Sequence, residues 1–244
     1  MQERGNIMEA GTSFKRGIKA GVPIAVGYLP IAIAFGVLAK TLGIPSIVAM
    51  LMSLIVFAGA SQFVGIKLMS LGALPIEIVL ATFILNLRHF LMTSFIAQNL
   101  EKGTSKKLMP YLAFGITDET FAVASIEEKG EISPQFMLGL NLMAFCFWNI
   151  GTLTGLLMSS WIPEYIINGM GIALYAMFIG LVVPSMRTAS PILIVALAAM
   201  AVNSAFYFVP VLSFVSPSWA IIISTVTAAL LGSFLDGKGE VTND

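Results

Sequence analysis

The chain has 244 residues, of which 57% are hydrophobic and 11% are charged, and its 13 basic residues balance its 13 acidic residues. A mean hydropathy of +0.92 exceeds that of soluble domains of this length and predicts an all-α, polytopic membrane protein. The zero net charge excludes an overall field that would attract nucleic acid, and the single cysteine excludes an internal disulfide or a cysteine-rich metal site.

Seven apolar runs follow a basic segment at the N-terminus. We expect residues 1–17 to be a retained, basic cytoplasmic leader. Because roughly 20 apolar residues cross a bilayer, the runs predict about seven transmembrane helices. They cover residues 18–39, 46–71, 75–98, 135–159, 165–187, 189–211 and 217–235.

The connector between the third and fourth runs, residues 99–134, contains a further apolar stretch. Residues 108–128 are nearly long enough to span, but Asp118 and Glu119 interrupt the stretch. Two carboxylates at this position allow two interpretations, an eighth transmembrane helix or a re-entrant segment.

The runs before and after the connector resemble each other in sequence. The segment "GYLPIAIAFGVLAKTLGIP", 27–45, aligns with "FWNIGTLTGLLMSSWIP", 147–163, and residues 76–92 align with 192–208. With a shift of one residue, the second alignment matches Asn86 with Asn203. The alternative is that short, glycine-rich apolar helices resemble one another by composition alone.

This alignment predicts two three-helix repeats, residues 18–98 and 135–211, followed by a last helix at 217–235. Two copies of a unit with an odd number of spans, joined by a connector that does not span, lie in opposite orientations. Many secondary transporters build their sites between such inverted repeats. If residues 108–128 span the membrane, the repeats are parallel instead.

The segment "NLRHFLMTSF" places Arg88 inside the third apolar run. At a rise of about 1.5 Å per residue, Arg88 lies roughly 20 Å from the start of its helix, beyond the middle of the bilayer. A buried guanidinium requires a partner. It could clamp a substrate carboxylate, or it could pair structurally with Asp118, Glu119 or a carbonyl at a helix end.

Other polar residues in the apolar runs are further candidates. His89 has a side chain suited to proton coupling, or it is a neutral, hydrogen-bonded core histidine. Asn86 and Asn203 could cap broken helices, hold a polar substrate or pack. The segment "FAGASQF", 57–63, permits close helix packing or a local break, and packing explains Gln62 least.

The segment "TDETF", 117–121, carries Asp118 and Glu119, which could be a proton or cation site in a cavity or solvated loop acids. HExxH, GxSxG and Walker-type motifs are missing from the sequence, as are carboxylate pairs at metal-ligand spacing. We therefore expect no catalysis, no cofactor and no metal.

Four segments together resemble the AzlC family, the large subunit of bacterial branched-chain amino-acid exporters. They are "GVPIAVGYLPIAIAFGVLA", "FAGASQF", "ATFILNLRHFLM" and "TDETFAV", in the order and at about the spacing of the family. The resemblance implies a multi-pass permease of the bacterial inner membrane that exports valine, leucine, isoleucine and often methionine. It also implies a small AzlD-type membrane partner and export driven by the membrane potential or a proton gradient.

Position within these segments, added to the physical arguments above, assigns two sets of roles. Substrate-binding residues are expected to be Arg88, Asn86, Gln62 and Asn203, and proton-coupling residues Asp118, Glu119 and His89. Two rival functions stay open, a channel or transporter for another small solute and a non-transporting assembly subunit.

Overall fold

The computed structural model describes residues 2–127, 130–163, 190–212 and 214–236, with six isolated positions between 164 and 189. The described part is helical apart from turns and one isolated bridge, which confirms the all-α prediction. Its α-helices are α1 Gln2–Thr41, α2 Ser46–Leu51, α3 Gly59–Ser70, α4 Pro75–Asn99, α5 Met109–Phe114, α6 Asp118–Glu127, α7 Pro134–Met158, α8 Ser190–Phe208 and α9 Pro217–Asp236.

Five of the described helices are long and apolar enough to cross a membrane. They are Gly11–Thr41, Pro75–Asn99, Pro134–Met158, Ser190–Phe208 and Pro217–Phe234. They confirm the first, third, fourth, sixth and seventh predicted runs as long helices. The fifth predicted run, 165–187, lies outside the described residues except for isolated positions. Residues 2–17, within the predicted leader 1–17, form the first part of the continuous helix α1.

The prediction of a single spanning helix over residues 46–71 is wrong. After the six residues of α2, the chain forms a π-helical turn, Met52–Val56, and the 12-residue helix α3 begins at Gly59. Between them Phe57 adopts a left-handed conformation with φ of +46°. Neither part reaches the roughly 20 residues that cross a bilayer, because the break at Phe57 interrupts the helix.

The connector leaves one point of the fold and returns to it. Leu100 forms an isolated bridge with Ile132, whose backbone N–H donates to the Asn99 carbonyl over 2.6 Å. Helices α5 and α6 lie between these paired positions and are six and ten residues long. A segment whose two ends are hydrogen-bonded together does not cross a membrane once. The structure therefore excludes an eighth transmembrane helix at 108–128.

Helices α1 and α7 pack closely through small residues. A Cβ atom added to Gly139 would collide with the Phe14 carbonyl, and one added to Gly155 would collide with the Ile33 carbonyl. At the same end as Phe14, the Ser13 hydroxyl donates to the Ser133 hydroxyl over 2.9 Å. Small side chains permit such close backbone approach between helices. Later residues of α7 contact later residues of α1, so the two helices run parallel.

This parallel course corrects the predicted inversion of the repeats. Helices α1 and α7 would be the first members of repeats 18–98 and 135–211, and opposite orientations would make them antiparallel. Of the described helices between them, α4 alone is long enough to cross. If α1 crosses in one direction and α4 returns in the other, α7 crosses in the same direction as α1.

The chain forms two compact units. The first comprises the described residues within 1–63 and 86–171, and the second those within 64–85 and 172–244. The second unit has an apolar cluster of Leu68, Ala81 and Ile222. Among the predicted site residues, Asn203 belongs to the second unit and the others belong to the first.

Candidate functional site

The break at Phe57 reverses the chain and makes a hairpin tip, here called the first tip, residues 53–63. Gln62 of α3 donates from Nε2 to the Ser53 hydroxyl over 2.9 Å, so the two arms lie side by side. The Ser53 hydroxyl lies 2.8 Å from that of Thr152, and the Phe57 ring contacts Phe145 with centroids 5.1 Å apart. The first tip therefore follows α7 from Thr152 to Phe145 and then turns back.

A second reversal lies between α5 and α6 and is called the second tip, residues 112–121. Asn141 of α7 donates from Nδ2 to the Leu112 carbonyl over 2.9 Å. The Thr117 N–H donates to the Thr120 hydroxyl over 2.8 Å, and the Thr120 N–H donates to the Thr117 hydroxyl over 3.3 Å. This reciprocal arrangement resembles a capping box, which explains why α6 begins at Asp118.

The two tips meet on α7. The rings of Phe57 and Phe114 lie with centroids 6.0 Å apart, and Phe114 also contacts Phe145 at 5.8 Å. Aromatic rings at these separations attract each other in tilted and edge-to-face arrangements. We call these three rings the tip cluster. It joins both tips to the same point of α7.

A salt bridge links the second tip to α4. Arg88 Nη1 lies 2.6 Å from Asp118 Oδ2, and the two side chains are 34% and 27% exposed. Asp118 lies in the first turn of α6, where the helix dipole also favours a carboxylate. One of the partners predicted for Arg88 is therefore its partner in the structure. The Arg88 Nε atom is buried and has no hydrogen-bond partner among the described residues.

Tyr28 of α1 holds the other acid of this segment. Its hydroxyl donates to the Glu119 carboxylate over 2.5 Å and lies 2.6 Å from the Thr117 hydroxyl. Its ring packs edge to face on Trp148, with centroids 5.3 Å apart. Burial of 94% of Tyr28 makes this hydroxyl an internal partner of the second tip. Tyr28 was not among the predicted site residues, because a tyrosine in an apolar run is typical of packing.

Gln62 belongs to a buried hydrogen-bond network around the first tip. Trp148 Nε1 donates to Gln62 Oε1 over 3.1 Å, while Gln62 Nε2 donates to Ser53. Gln62 and Thr152 are fully buried. Because both ends of the Gln62 amide are engaged, the network fixes the first tip against α7. Ser53, Trp148 and Thr152 were not among the predicted site residues.

The remaining predicted residues lie in different surroundings. The Ser61 hydroxyl donates to Asn86 Oδ1 over 2.7 Å, which ties the first tip to α4. His89 is half-buried on α4, and the described residues give it no hydrogen bond. Asn203 is exposed on α8 in the second unit. The structure thus brings Asn86, Arg88 and Gln62 to the tips together with the two acids.

The site offers one guanidinium and two carboxylates beside aromatic rings. In the part of the chain that the structure describes, no group of three or more His, Cys, Asp or Glu side chains could hold a metal ion. Each charge has an internal partner within the first unit, and no two like charges are paired. A ligand that carries both a positive and a negative charge can separate such a pair and bind each of its members.

Comparison with known proteins places these segments in a family. The sequence model described as AzlC protein matches residues 23–162. An uncharacterized membrane protein of Archaeoglobus fulgidus is 35% identical over 227 residues, covering 92% of this chain and 94% of the relative. No solved structure matches the chain.

Two named relatives also match. The branched-chain amino acid transport protein AzlC of Bacillus subtilis is 30% identical over 183 residues, covering 73% of this chain and 69% of the relative. The inner membrane protein YgaZ of Escherichia coli is 31% identical over 146 residues, covering 59% of this chain and 60% of the relative.

Proposed function

This chain belongs to the AzlC family, and on that premise we propose that it exports branched-chain amino acids, with methionine as a further cargo, across the bacterial inner membrane. The name of the Bacillus subtilis relative supports the cargo. The observation that carries the proposal in this chain is the salt bridge between Arg88 and Asp118, which joins the second tip to the apolar helix α4.

A zwitterionic amino acid matches the charges of this salt bridge. The planar guanidinium of Arg88 suits a bidentate contact with the substrate carboxylate, and Asp118 suits the substrate ammonium. Two ion pairs then replace one, so no charge is left unpaired inside the protein while the substrate is bound. Because an unpaired charge in a membrane is costly, the internal salt bridge keeps the empty site stable.

The apolar side chain of the substrate has a partner close to the same tip. Phe114 of the tip cluster lies four residues before Asp118, across the turn that begins α6. A branched aliphatic side chain gains about 25 cal/mol for each Å² of apolar surface that leaves water. The tip cluster therefore favours valine, leucine, isoleucine and methionine over polar amino acids.

Coupling to the membrane potential or a proton gradient would involve the second acid. The Tyr28 hydroxyl donates to Glu119 and also contacts Thr117, and both residues belong to the second tip, which carries Asp118. His89 lies next to Arg88 on α4 and is the remaining proton-coupling candidate. We further propose that a small AzlD-type membrane subunit completes the exporter.

Efflux of preloaded leucine, isoleucine, valine and methionine from cells tests this function. The cells express the parent or the variants Arg88→Ala and Arg88→Lys, each with and without a small AzlD-type partner. Lys107→Ala, which removes an exposed cation outside the long helices, is the matched control.

We expect efflux that requires both chains, falls by about tenfold or more in Arg88→Ala and stays near the parental rate in Lys107→Ala. Efflux of unrelated solutes at equal rates would point to a channel or to another cargo. Parental efflux from Arg88→Ala cells would contradict the role of the salt bridge.

A further inference from the structure

The two hairpin tips share one design. Each reverses the chain beside a phenylalanine of the tip cluster and places a glycine against α7. A Cβ atom added to Gly59 would lie 2.7 Å from Cη2 of Trp148, and one added to Gly115 would lie 2.5 Å from the Asn141 side chain. Both tips therefore lie directly on α7 and have no room for a larger residue.

The two tips approach this meeting point from opposite ends of α1. Helix α2 begins after Pro45, just beyond the Thr41 end, because residues 42–45 form a tight turn there. The chain that leads to α5 starts at the bridge of Leu100 with Ile132, next to Ser133 and the Ser13 end. One hairpin thus enters the first unit from each end.

Each hairpin has an open cavity beside its first arm. A cavity of about 480 Å³ at the Thr41 end is lined by α2 and by the ends of α1 and α7, including Met50 and Leu156. A cavity of about 330 Å³ at the other end is lined by α5 and the end of α4, including Ala97 and Met109. These cavities give each hairpin free space on its own side.

The first tip also carries backbone features that are typical of moving or functional segments. Phe57 has a φ of +46°, a conformation that is unusual for a bulky residue that is not glycine. The preceding π-helical turn, Met52–Val56, is a rare element that occurs mostly at functional sites. Phe57 is the residue of the first tip that contacts Phe114, and the π-helical turn directly precedes it.

We propose that the two tips are paired gates of a single pathway and that the salt bridge of Arg88 with Asp118 is exposed to one end at a time. The first tip opens toward the Thr41 end of α1 and the second tip toward the Ser13 end. The tip cluster is the closed contact between them. This inference rests on the proposed transport function and assigns the two sides of its pathway.

A reversible cross-link between the tips, made with a bifunctional reagent that attaches to each thiol through a disulfide bond, tests the gates in the full chain with the proposed partner subunit. The reagent supplies the reach, because ring centroids 6.0 Å apart do not by themselves place two cysteine Cβ atoms at disulfide distance. The variant Phe57→Cys/Phe114→Cys is made in a Cys146→Ser background, because Cys146 adjoins Phe145 of the cluster. The control is Leu100→Cys/Ile132→Cys, which cross-links the base of the second hairpin, where the chain is already paired. Leucine efflux is measured after cross-linking and again after reduction.

We expect the tip cross-link to form, to lower leucine efflux by about tenfold or more and to be reversed by reduction. The base cross-link should leave efflux within about twofold of the reduced control. Unchanged efflux through cross-linked tips would overturn the gates. A tip pair that fails to cross-link while the base pair does so would overturn the contact itself.

A second readout separates the gates from the cargo. Single cysteines at Phe57 and Phe114 are labelled with a membrane-impermeant maleimide in right-side-out and inside-out vesicles. We expect each cysteine to react from its own end only, whichever solute is transported. If the parent exports no amino acid but labelling is side-specific, the proposed function fails and the gates stand. Labelling of both cysteines from the same side would overturn them.

Discussion

Arg88 Nη1 lies 2.6 Å from Asp118 Oδ2, and this contact joins the interior of a 25-residue apolar helix to the first turn of α6. The position of Arg88 in α4 would otherwise leave a cation without a partner inside the membrane. Its partner comes from a segment that does not cross the membrane, because the connector returns to its starting point. The hairpin therefore brings a carboxylate to a depth that no polar loop reaches alone.

The salt bridge predicts non-additive effects on stability. Arg88→Ala leaves Asp118 unpaired and should lower the free energy of unfolding by about 1–2 kcal/mol, a value reduced by the partial exposure of both side chains. The double variant Arg88→Ala/Asp118→Ala removes both charges and should be more stable than Arg88→Ala. Thermal unfolding in detergent checks this order, and a double variant less stable than either single variant would contradict it.

Close packing at the tips predicts that their glycines are sensitive to size. Gly59→Ala and Gly115→Ala should each destabilise the protein by about 1–3 kcal/mol, because the new methyl groups overlap Trp148 and Asn141. Gly27→Ala on α1 is the matched control, since nothing lies within 4 Å of the added Cβ. The control should be neutral or slightly stabilising. Equal unfolding temperatures for all three variants would refute the packing described for the tips.

The hydroxyl of Tyr28 should matter more than its ring for transport. Tyr28→Phe keeps the packing on Trp148 but leaves Glu119 and Thr117 without this partner. We expect leucine efflux to fall by about tenfold, equivalent to the loss of a hydrogen bond to a charged group. Tyr207→Phe, at a side chain that is 83% exposed, should not change efflux. Equal rates in the two variants would exclude a role for the hydroxyl.

Glu77 has a structural role in the second unit. It is buried, accepts from the Ser216 hydroxyl over 2.9 Å and accepts from the Leu74 N–H over 3.2 Å. It therefore joins the start of α4 to the residue before α9. Glu77→Ala should lower the free energy of unfolding by about 1.5–3 kcal/mol, and Ser216→Ala by less. Thermal unfolding that is unaffected by Glu77→Ala would show that this link is unimportant.

The long helices could be predicted because bilayer thickness and composition determine them. Runs such as 75–98 and 135–159 differ from helices α4 and α7 by at most one residue at either end. The hairpins were each one of two interpretations, a re-entrant segment at 108–128 and a local break within 57–63, and bilayer thickness and composition did not choose between them. The run is apolar both before and after Phe57, so composition does not mark the break. The chain reverses there because of contacts with α7, whose residues are distant in sequence.

The candidate site was likewise predicted only in part. Arg88 and Asp118 were recognisable because charges in apolar runs need partners, and Asp118 was one of the three structural partners predicted for Arg88. Tyr28 and Trp148 were not recognisable, since aromatic residues are common in transmembrane helices. Their roles arise from hydrogen bonds to the tips. The inverted repeats were predicted by assuming that residues 46–71 cross the membrane, and the break at Phe57 removes that assumption.

The most direct test of the central claim is equilibrium binding of labelled leucine to the purified protein together with the proposed AzlD-type subunit. Leucinamide, which lacks the carboxylate, and N-acetyl-leucine, which lacks the ammonium, serve as competitors. If Arg88 binds the substrate carboxylate and Asp118 binds the substrate ammonium, both analogues should bind at least about tenfold more weakly than leucine. Equal competition by leucine and either analogue, or no leucine binding, would contradict the account.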